Sequence, residues 1–330
     1  MPTSRTSRRV VVLAGGLSHE RDVSLRSGRR IAEALRSVGV EVEERDVDAG
    51  LVPTLRDDPP VCVLPMLHGE AGEDGAIREV LELLDVPYVG AVPAACRAAF
   101  DKPVAKASVE RVGIRTPASL ALPHETFREL GAGGVMDLMV SHLGLPIMVK
   151  PAKSGSALGC TLVRERAELP GAMVSAFAYG DTALVEQFIT GSEVAVPVVD
   201  TGSGPVALPA VGINPDGGVY DYTARYTAGA TEFVVPAKLS AEVAAECARV
   251  AVTAHEALGL RDVSRSDLII DAAGLVWFLE VNVAPGMTET STVPLSLSSA
   301  GRELGVTCAA LVAAAVARAD HDPEQGAIHA

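Results

Sequence analysis

Lysine is nearly missing from this 330-residue chain: residues 102, 106, 150, 153 and 238 are the only five, and arginine supplies the rest of its 28 basic side chains. A sequence this ready to use arginine keeps lysine where a compact point charge is needed, as at a phosphate. Basic charge is also short overall. With 42 acidic residues the net charge is −14, which excludes nucleic acid and an anionic membrane as partners, since both need a basic surface. An acidic protein still binds a nucleotide when its cations are concentrated at one site. The five cysteines, 62, 96, 160, 247 and 308, are scattered, odd in number and without metal spacing. That pattern excludes a disulfide framework and fits a reduced, cytoplasmic protein. Apolar runs are short too: stretches such as Cys308 to Ala317 fall below the roughly 20 residues needed to cross a bilayer. The start, Arg8 to Ala14, resembles a leader only superficially. Its apolar part runs straight into Ser18-His19-Glu20-Arg21-Asp22 and reads as a first strand.

What is present is a globular composition, 48% hydrophobic and 21% charged, long enough for two or three domains. Residues 8–14 read as a buried strand, followed by Gly15-Gly16 and a helix from about Ser24 to Val38. Strands near Val40–Val47 and Val61–Leu67 and a helix carrying Ile77, Val80, Leu81 and Leu84 come next. Strands alternating with helices imply a parallel sheet covered on both faces. The expected division is an α/β N-terminal domain over 1–91, a central subdomain over 92–185 and a C-terminal subdomain over 186–319. Within the last, 212–236 reads as a mobile polar loop. Met1–Ser7 and 320–330 are expected to be disordered.

The segment from Ser264 to Asn282 carries the most chemistry. Asp271 to Gly274 reads as a turn between two β-patterned runs, which makes a hairpin. A register symmetric about Ala272–Ala273 sets Arg265 opposite Glu280 and Asp267 opposite Phe278. With period two along each strand, Arg265, Asp267, Glu280 and Asn282 share a face. Two carboxylates and an amide oxygen suit Mg²⁺, which takes hard oxygen ligands and shares its shell with phosphates and water. An anonymous pair of this kind is otherwise a solvated hairpin face.

Five segments together resemble the D-alanine–D-alanine ligases. They are Gly15-Gly-Leu-Ser-His-Glu20 with Val23-Ser-Leu25, His68-Gly-Glu-Ala-Gly-Glu-Asp-Gly75, Lys150-Pro-Ala-Lys-Ser-Gly-Ser-Ala-Leu-Gly159, Tyr220-Asp-Tyr-Thr-Ala-Arg-Tyr226 and Glu280-Val-Asn-Val-Ala-Pro-Gly-Met-Thr-Glu-Thr-Ser-Thr-Val-Pro294. Any one alone is weak evidence; in order and at matching spacing they are specific. The resemblance implies a three-domain ATP-grasp architecture with a Rossmann-like N-terminal domain. It also implies a cytoplasmic, homodimeric enzyme of peptidoglycan synthesis that uses ATP and two Mg²⁺ ions, for which Mn²⁺ can substitute.

Residue by residue, the resemblance puts Lys102, Lys150, Ser156 and Arg225 on the nucleotide phosphates. Glu186, Gln187, Phe188 and Leu279 fall around adenine, and Glu193 on the ribose. Asp267, Glu280 and Asn282 match the metal ligands, and Arg265 the cation on the developing oxyanion. Glu20 and His68 match the first amino-acid site, while Gly286, Ser291 and Thr292 match the second. Glu20, Ser156 and Tyr226 correspond to a network that closes a loop over the site. Without the resemblance, Glu20 reads equally well as a charge at a helix N-terminus and His68 as a structural histidine.

Four positions depart from the family pattern. Arg225 stands for a lysine, Ala157 for a serine, Thr292 for a leucine, and Ser266 for an aliphatic residue. These leave open a paralogous ligase of specialised metabolism with a different amino-acid pair, or an ester-forming relative, against which Tyr226 argues. A catalytically silent nucleotide-binding regulator is the remaining class, and the retained Arg265, Asp267, Glu280 and Asn282 argue against it.

Overall fold

The computed structural model describes residues 9–216 and 229–321. Its first sheet is parallel, in the order β2-β1-β3, from β1 (Val10–Leu13), β2 (Val42–Arg45) and β3 (Cys62–Pro65). β1 is an unbroken Val-Val-Val-Leu run because both its faces are covered: Val10 and Val12 enter one core cluster, Val11 and Leu13 another. The helix Arg21–Ser37 lies against the end of β1. Gly28 permits this, since a Cβ there would come within 2.4 Å of the Ala14 side chain.

The second sheet is antiparallel, ordered β4-β7-β5-β6, from β4 (Ser119–Pro123), β5 (Ile147–Pro151), β6 (Thr161–Val163) and β7 (Thr182–Gln187). Helices Ala132–Leu143 and Leu169–Phe177 share its core. The third is also antiparallel, ordered β11-β10-β8-β12-β13. Its strands are β8 (Gly191–Val199), β9 (Val206–Ala207, paired off the path with β8), β10 (Val211–Pro215), β11 (Thr231–Val234), β12 (Val263–Asp271) and β13 (Val276–Asn282).

Packing crosses the division expected between residues 185 and 186: helices Pro93–Phe100 and Lys102–Arg111 contribute Ala95, Cys96, Ala99, Ala105 and Val109 to the core beneath β8, β12 and β13. The helix Leu304–His321 returns to the N-terminal unit, packing on helix Arg21–Ser37 and β3. By length and composition alone it could span a membrane, yet Cys308, Leu311, Val312 and Ala315 are buried in the core it shares with β1.

Three expectations are corrected. The stretch 212–236 is not loop throughout: its ends form the β10–β11 hairpin, with Gly212 opposite Val234 and Asn214 opposite Glu232. Its middle, with Arg225 and Tyr226, lies outside the described residues. Asp320 and His321 finish a helix rather than beginning a disordered tail; the rest of the tail, like Met1–Ser7, is outside the described residues.

The third correction is the β12–β13 register, which pairs Arg265 with Asn282 and Asp267 with Glu280. Two causes add. Asp271 Oδ1 accepts from the N–H groups of Ala273 and Leu275, so the turn extends to Leu275. A β-bulge then shifts the register again between Asp267 and Leu268. Phe278 and Val281 enter the core while Leu279 and Glu280, between them, both line one cavity. The bulge thus places two successive residues on the functional face.

On the opposite face of β12, Ser266 is fully buried and its hydroxyl has no hydrogen-bond partner. A buried hydroxyl in that condition forfeits its hydration with no return. Ser266→Ala is therefore expected to stabilise the protein by ~1 kcal/mol, read as a higher urea midpoint at unchanged slope. An equal or lower midpoint would count against this account.

Candidate active site

Two cavities meet at the junction of the three sheets. The first, about 460 Å³, contains Glu20, His68, Lys102, Ser156, Arg265, Glu280, Asn282, Gly286, Ser291 and Thr292 in its lining. The second, about 910 Å³, is lined by residues including Lys102, Lys150, Glu186, Gln187, Phe188, Glu193, Asp267, Leu279 and Glu280. Every site residue expected from sequence that falls among the described residues therefore lines one cavity or both. Lys102, Ser154 and Glu280 line both and mark the junction.

Local structure explains how distant segments converge. Gly15 and Gly16 take positive φ, +108° and +75°, letting the chain turn sharply off β1. The buried Ser24 hydroxyl accepts from the Gly15 N–H and donates to the Met66 carbonyl, pinning that turn to the end of β3. Glu20 precedes helix Arg21–Ser37 without capping it by its side chain. Its carboxylate instead accepts from the Ser156 hydroxyl, on the loop after β5. Glu20 thus stands at the helix N-terminus and also bridges to that loop.

His68 is buried with both ring nitrogens engaged. Nδ1 lies 2.9 Å from the Ala284 carbonyl, which can only accept, so Nδ1 carries the proton. Nε2 then accepts from the Ser27 hydroxyl at 3.0 Å, and Ser27 in turn accepts from the Met287 N–H. Burial pushes the imidazole below its ordinary pKa, against the opposing pull of Glu20, and His68 is neutral. The chain Met287–Ser27–His68–Ala284 ties the first sheet's unit to the loop after β13. Ser27 was not legible as a site residue: a serine inside a helical run carries no pattern.

Gly286 and Ser291 belong together, since a Cβ on Gly286 would come within 2.8 Å of the Ser291 hydroxyl. That hydroxyl also accepts from the Thr288 N–H at 3.0 Å. On β12, Arg265 grips Asp267 through a two-pronged fork, Nε to Oδ1 and Nη2 to Oδ2, both at 2.7 Å. Lys102, on the other side, lies 3.3 Å from Glu280 and donates to the Ser154 carbonyl. Lys150 pairs with Glu186 at 2.6 Å, and a second buried lysine, Lys106, takes that carboxylate's other oxygen at 2.6 Å. The two lysines outweigh burial and hold Glu186 below the ordinary carboxylate range.

Asp267, Glu280 and Asn282 offer hard oxygens on one face, and Asn282 Oδ1 is fixed by the Ala284 N–H at 2.7 Å. Among the described residues no group of three or more His, Cys, Asp or Glu could hold a metal by itself. Two carboxylates and one amide fit an ion whose shell is completed by phosphate and water oxygens.

Glu73 is a cavity residue that sequence reasoning passed over, although it stands inside the His68–Gly75 segment. It lines the first cavity, buried, and burial together with the nearby Glu20 raises its pKa to about 8, with Lys102 opposing. The proton is held in the folded state up to about pH 8 and lost near 4.5 when unfolded. Its contribution is therefore fully present below 4.5 and is lost as pH rises through the folded value. Each tenfold difference in proton affinity between folded and unfolded chain is worth ~1.4 kcal/mol, so the loss amounts to several kcal/mol. Glu73→Gln cannot ionise. Its thermal midpoint, measured without nucleotide or Mg²⁺, is expected to gain on the wild type progressively between about pH 4.5 and about pH 8 and to level off above that. A pH-independent difference would refute the assignment.

An antiparallel central sheet and a larger antiparallel sheet enclosing a nucleotide-sized cavity, behind a Rossmann-like parallel unit, form the ATP-grasp architecture. Residues 109–315 match the family model described as D-ala D-ala ligase C-terminus. The chain is 37% identical over 322 residues to the D-alanine–D-alanine ligase of Bordetella petrii, covering 98% of this chain and 96% of that one. It belongs to the D-alanine–D-alanine ligase family. The corresponding ligase of Anaeromyxobacter dehalogenans is 38% identical over 95% of this chain and 99% of its own. Among solved structures, D-alanyl-alanine synthetase A from Vibrio cholerae superposes with a TM-score of 0.84 at 25% identity, covering 94% of this chain and 99% of that one. The VanG D-Ala:D-Ser ligase from Enterococcus faecalis gives 0.82 at 25% identity, with 94% and 100% covered.

Proposed function

We propose that this protein joins two molecules of D-alanine into D-alanyl-D-alanine, at the expense of ATP, for peptidoglycan precursor synthesis in the cytoplasm. The observation that carries the reading is the meeting of a cavity with room for two small amino acids, about 460 Å³, and a larger one of about 910 Å³ at Lys102, Ser154 and Glu280. A carboxylate is a poor electrophile because its leaving group would be an oxide. The first D-alanine carboxylate attacks the γ-phosphorus, breaking the bond to the β-γ bridging oxygen and giving an acyl phosphate and ADP. The neutral amine of the second D-alanine then attacks the acyl carbon, expelling phosphate; the proton left on nitrogen goes to solvent or phosphate.

In this assignment Glu20 takes the ammonium of the first D-alanine, and the Glu20–Ser156 bond draws the loop after β5 over it. Lys102 and Lys150 neutralise phosphate charge. Leu279, Gln187 and Phe188 hold the base, and Glu193 the ribose. Arg265, its plane fixed by Asp267, faces the oxygen on which charge develops. Ser291 and Thr292 receive the second amino acid. Asp267, Glu280 and Asn282 would hold Mg²⁺, which supplies charge neutralisation at the transferring phosphoryl group. Arg225 and Tyr226 are assigned to the phosphate and to loop closure, and two chains form the working dimer. Closure excludes water, which protects an acyl phosphate from hydrolysis.

Purified protein supplied with ATP and Mg²⁺ is expected to release phosphate with D-alanine alone and to yield the dipeptide. Release only with a mixed pair such as D-alanine and D-serine would keep the ligase chemistry and move the acceptor assignment, with Thr292 as the first residue to examine. No release with any amino acid pair would sink the proposal.

A further inference from the structure

Lys106 lines neither cavity, yet it is among the most buried charges in the protein, at 2% exposure. It stands one helical turn beyond Lys102 on the helix Lys102–Arg111, so the two lysines share a helix face. Its Nζ donates to Glu186 Oε2 at 2.6 Å and to the Pro117 carbonyl at 2.9 Å. Glu186, on β7, is 3% exposed and gives its other oxygen to Lys150 at 2.6 Å. One buried carboxylate is thus shared by a lysine that lines the nucleotide cavity and a lysine that does not.

This sharing settles what Lys150 can do. A phosphate competes with Glu186 for the Lys150 ammonium, and a buried carboxylate deserted by its sole counter-ion is strongly destabilised. With Lys106 in place the carboxylate is never deserted. We propose that Lys106 is a positioning residue of the nucleotide cavity: as the standing counter-ion of Glu186 it releases Lys150 to turn onto a polyphosphate. The proposal rests on the reading above that Lys150 serves the phosphates. It adds a division of labour, with one lysine moving and one staying.

The test compares binding of adenosine with binding of a non-hydrolysable ATP analogue by titration calorimetry. Lys106→Met is expected to weaken the analogue roughly tenfold or more and adenosine by less than about twofold, because the base and ribose contacts remain while Lys150 is retained by Glu186. Removing the carboxylate's charge removes the need for Lys106. On a Glu186→Gln background, Lys106→Met should therefore change analogue affinity by less than about twofold. That double substitution buries a neutral pair, so it remains informative if Lys106→Met alone fails to fold. Equal losses for adenosine and analogue, no loss for either, or the same loss on the Glu186→Gln background would each overturn the proposal. A separate Lys150→Met variant that binds the analogue as well as the wild type would instead remove the phosphate role of Lys150 on which the proposal stands.

Discussion

Glu280→Gln is expected to lower turnover by at least about 10³-fold while leaving the fold intact, an effect of the size seen when one key electrostatic group is lost from a phosphoryl-transfer site. The carboxylate lines both cavities and lies 3.3 Å from Lys102. The amide keeps the shape and loses the charge that a Mg²⁺–triphosphate needs compensated. Because Glu280 is partly exposed and its partner Lys102 also has the Ser154 carbonyl, the fold should tolerate the change. The measurement is phosphate release across a Mg²⁺ series, with circular dichroism as the control for folding. Asp267→Asn should be as damaging for two reasons, since it also cuts the fork that holds Arg265. Near-wild-type rates for Glu280→Gln at ordinary Mg²⁺ would remove it from the metal site.

Arg265→Met should lower kcat by about 10²- to 10³-fold with KM for ATP changed only a few-fold. A guanidinium aimed at an oxyanion is used only in the transition state, so its loss appears in kcat. Arg265→Lys restores charge without the planar two-pronged grip on Asp267, and is expected to recover only part of the rate. The reverse pattern, with KM for ATP rising and kcat preserved, would make Arg265 a ground-state nucleotide ligand instead.

Much of the site is legible in the sequence because its residues sit in compact, ordered segments. Once β1, the Gly15-Gly16 turn and the β12–β13 hairpin are recognised as elements, period two places Arg265, Asp267, Glu280 and Asn282 on one face. That conclusion survives a wrong register. A symmetric hairpin makes the turn one residue too short and has no bulge; beyond the bulge the two single-residue displacements cancel and leave Glu280 and Asn282 on the face of Arg265 and Asp267, while between turn and bulge only the first acts and Phe278 faces the core instead. The strands β4, β9, β10 and β11 leave no such mark. Ser119–Pro123 ends in proline and Val206–Ala207 is two residues long, while Val211–Pro215 and Thr231–Val234 sit in a stretch whose polarity reads as loop. Such strands form because a neighbour offers an edge to pair with, β7 for β4, β8 for β9 and β10, and β10 for β11, which is information carried elsewhere in the chain. Glu73 and Lys106 are hidden for a related reason. A charged residue declares its burial only when the elements around it are assembled, and nothing in the local pattern distinguishes either from a surface side chain.

The bulge in β13 also governs how the length of this strand can change. Ordinary alternation makes each position depend on all those before it, so an insertion or deletion of one residue turns everything downstream inside out. Leu279 is the residue that ordinary alternation would not contain: Phe278 faces the core, Leu279 and Glu280 both face the cavity, and Val281 returns to the core. A chain without Leu279 would still alternate Phe278 inward, Glu280 outward, Val281 inward. It would lose one apolar side chain from the lining of the larger cavity and keep its carboxylate in place. Removing any other single residue from Trp277 to Val281 would either need the bulge itself to be undone or bury Glu280 in the core. The hairpin therefore carries its one spare residue beside the carboxylate that lines both cavities, so the apolar lining and the carboxylate can change independently.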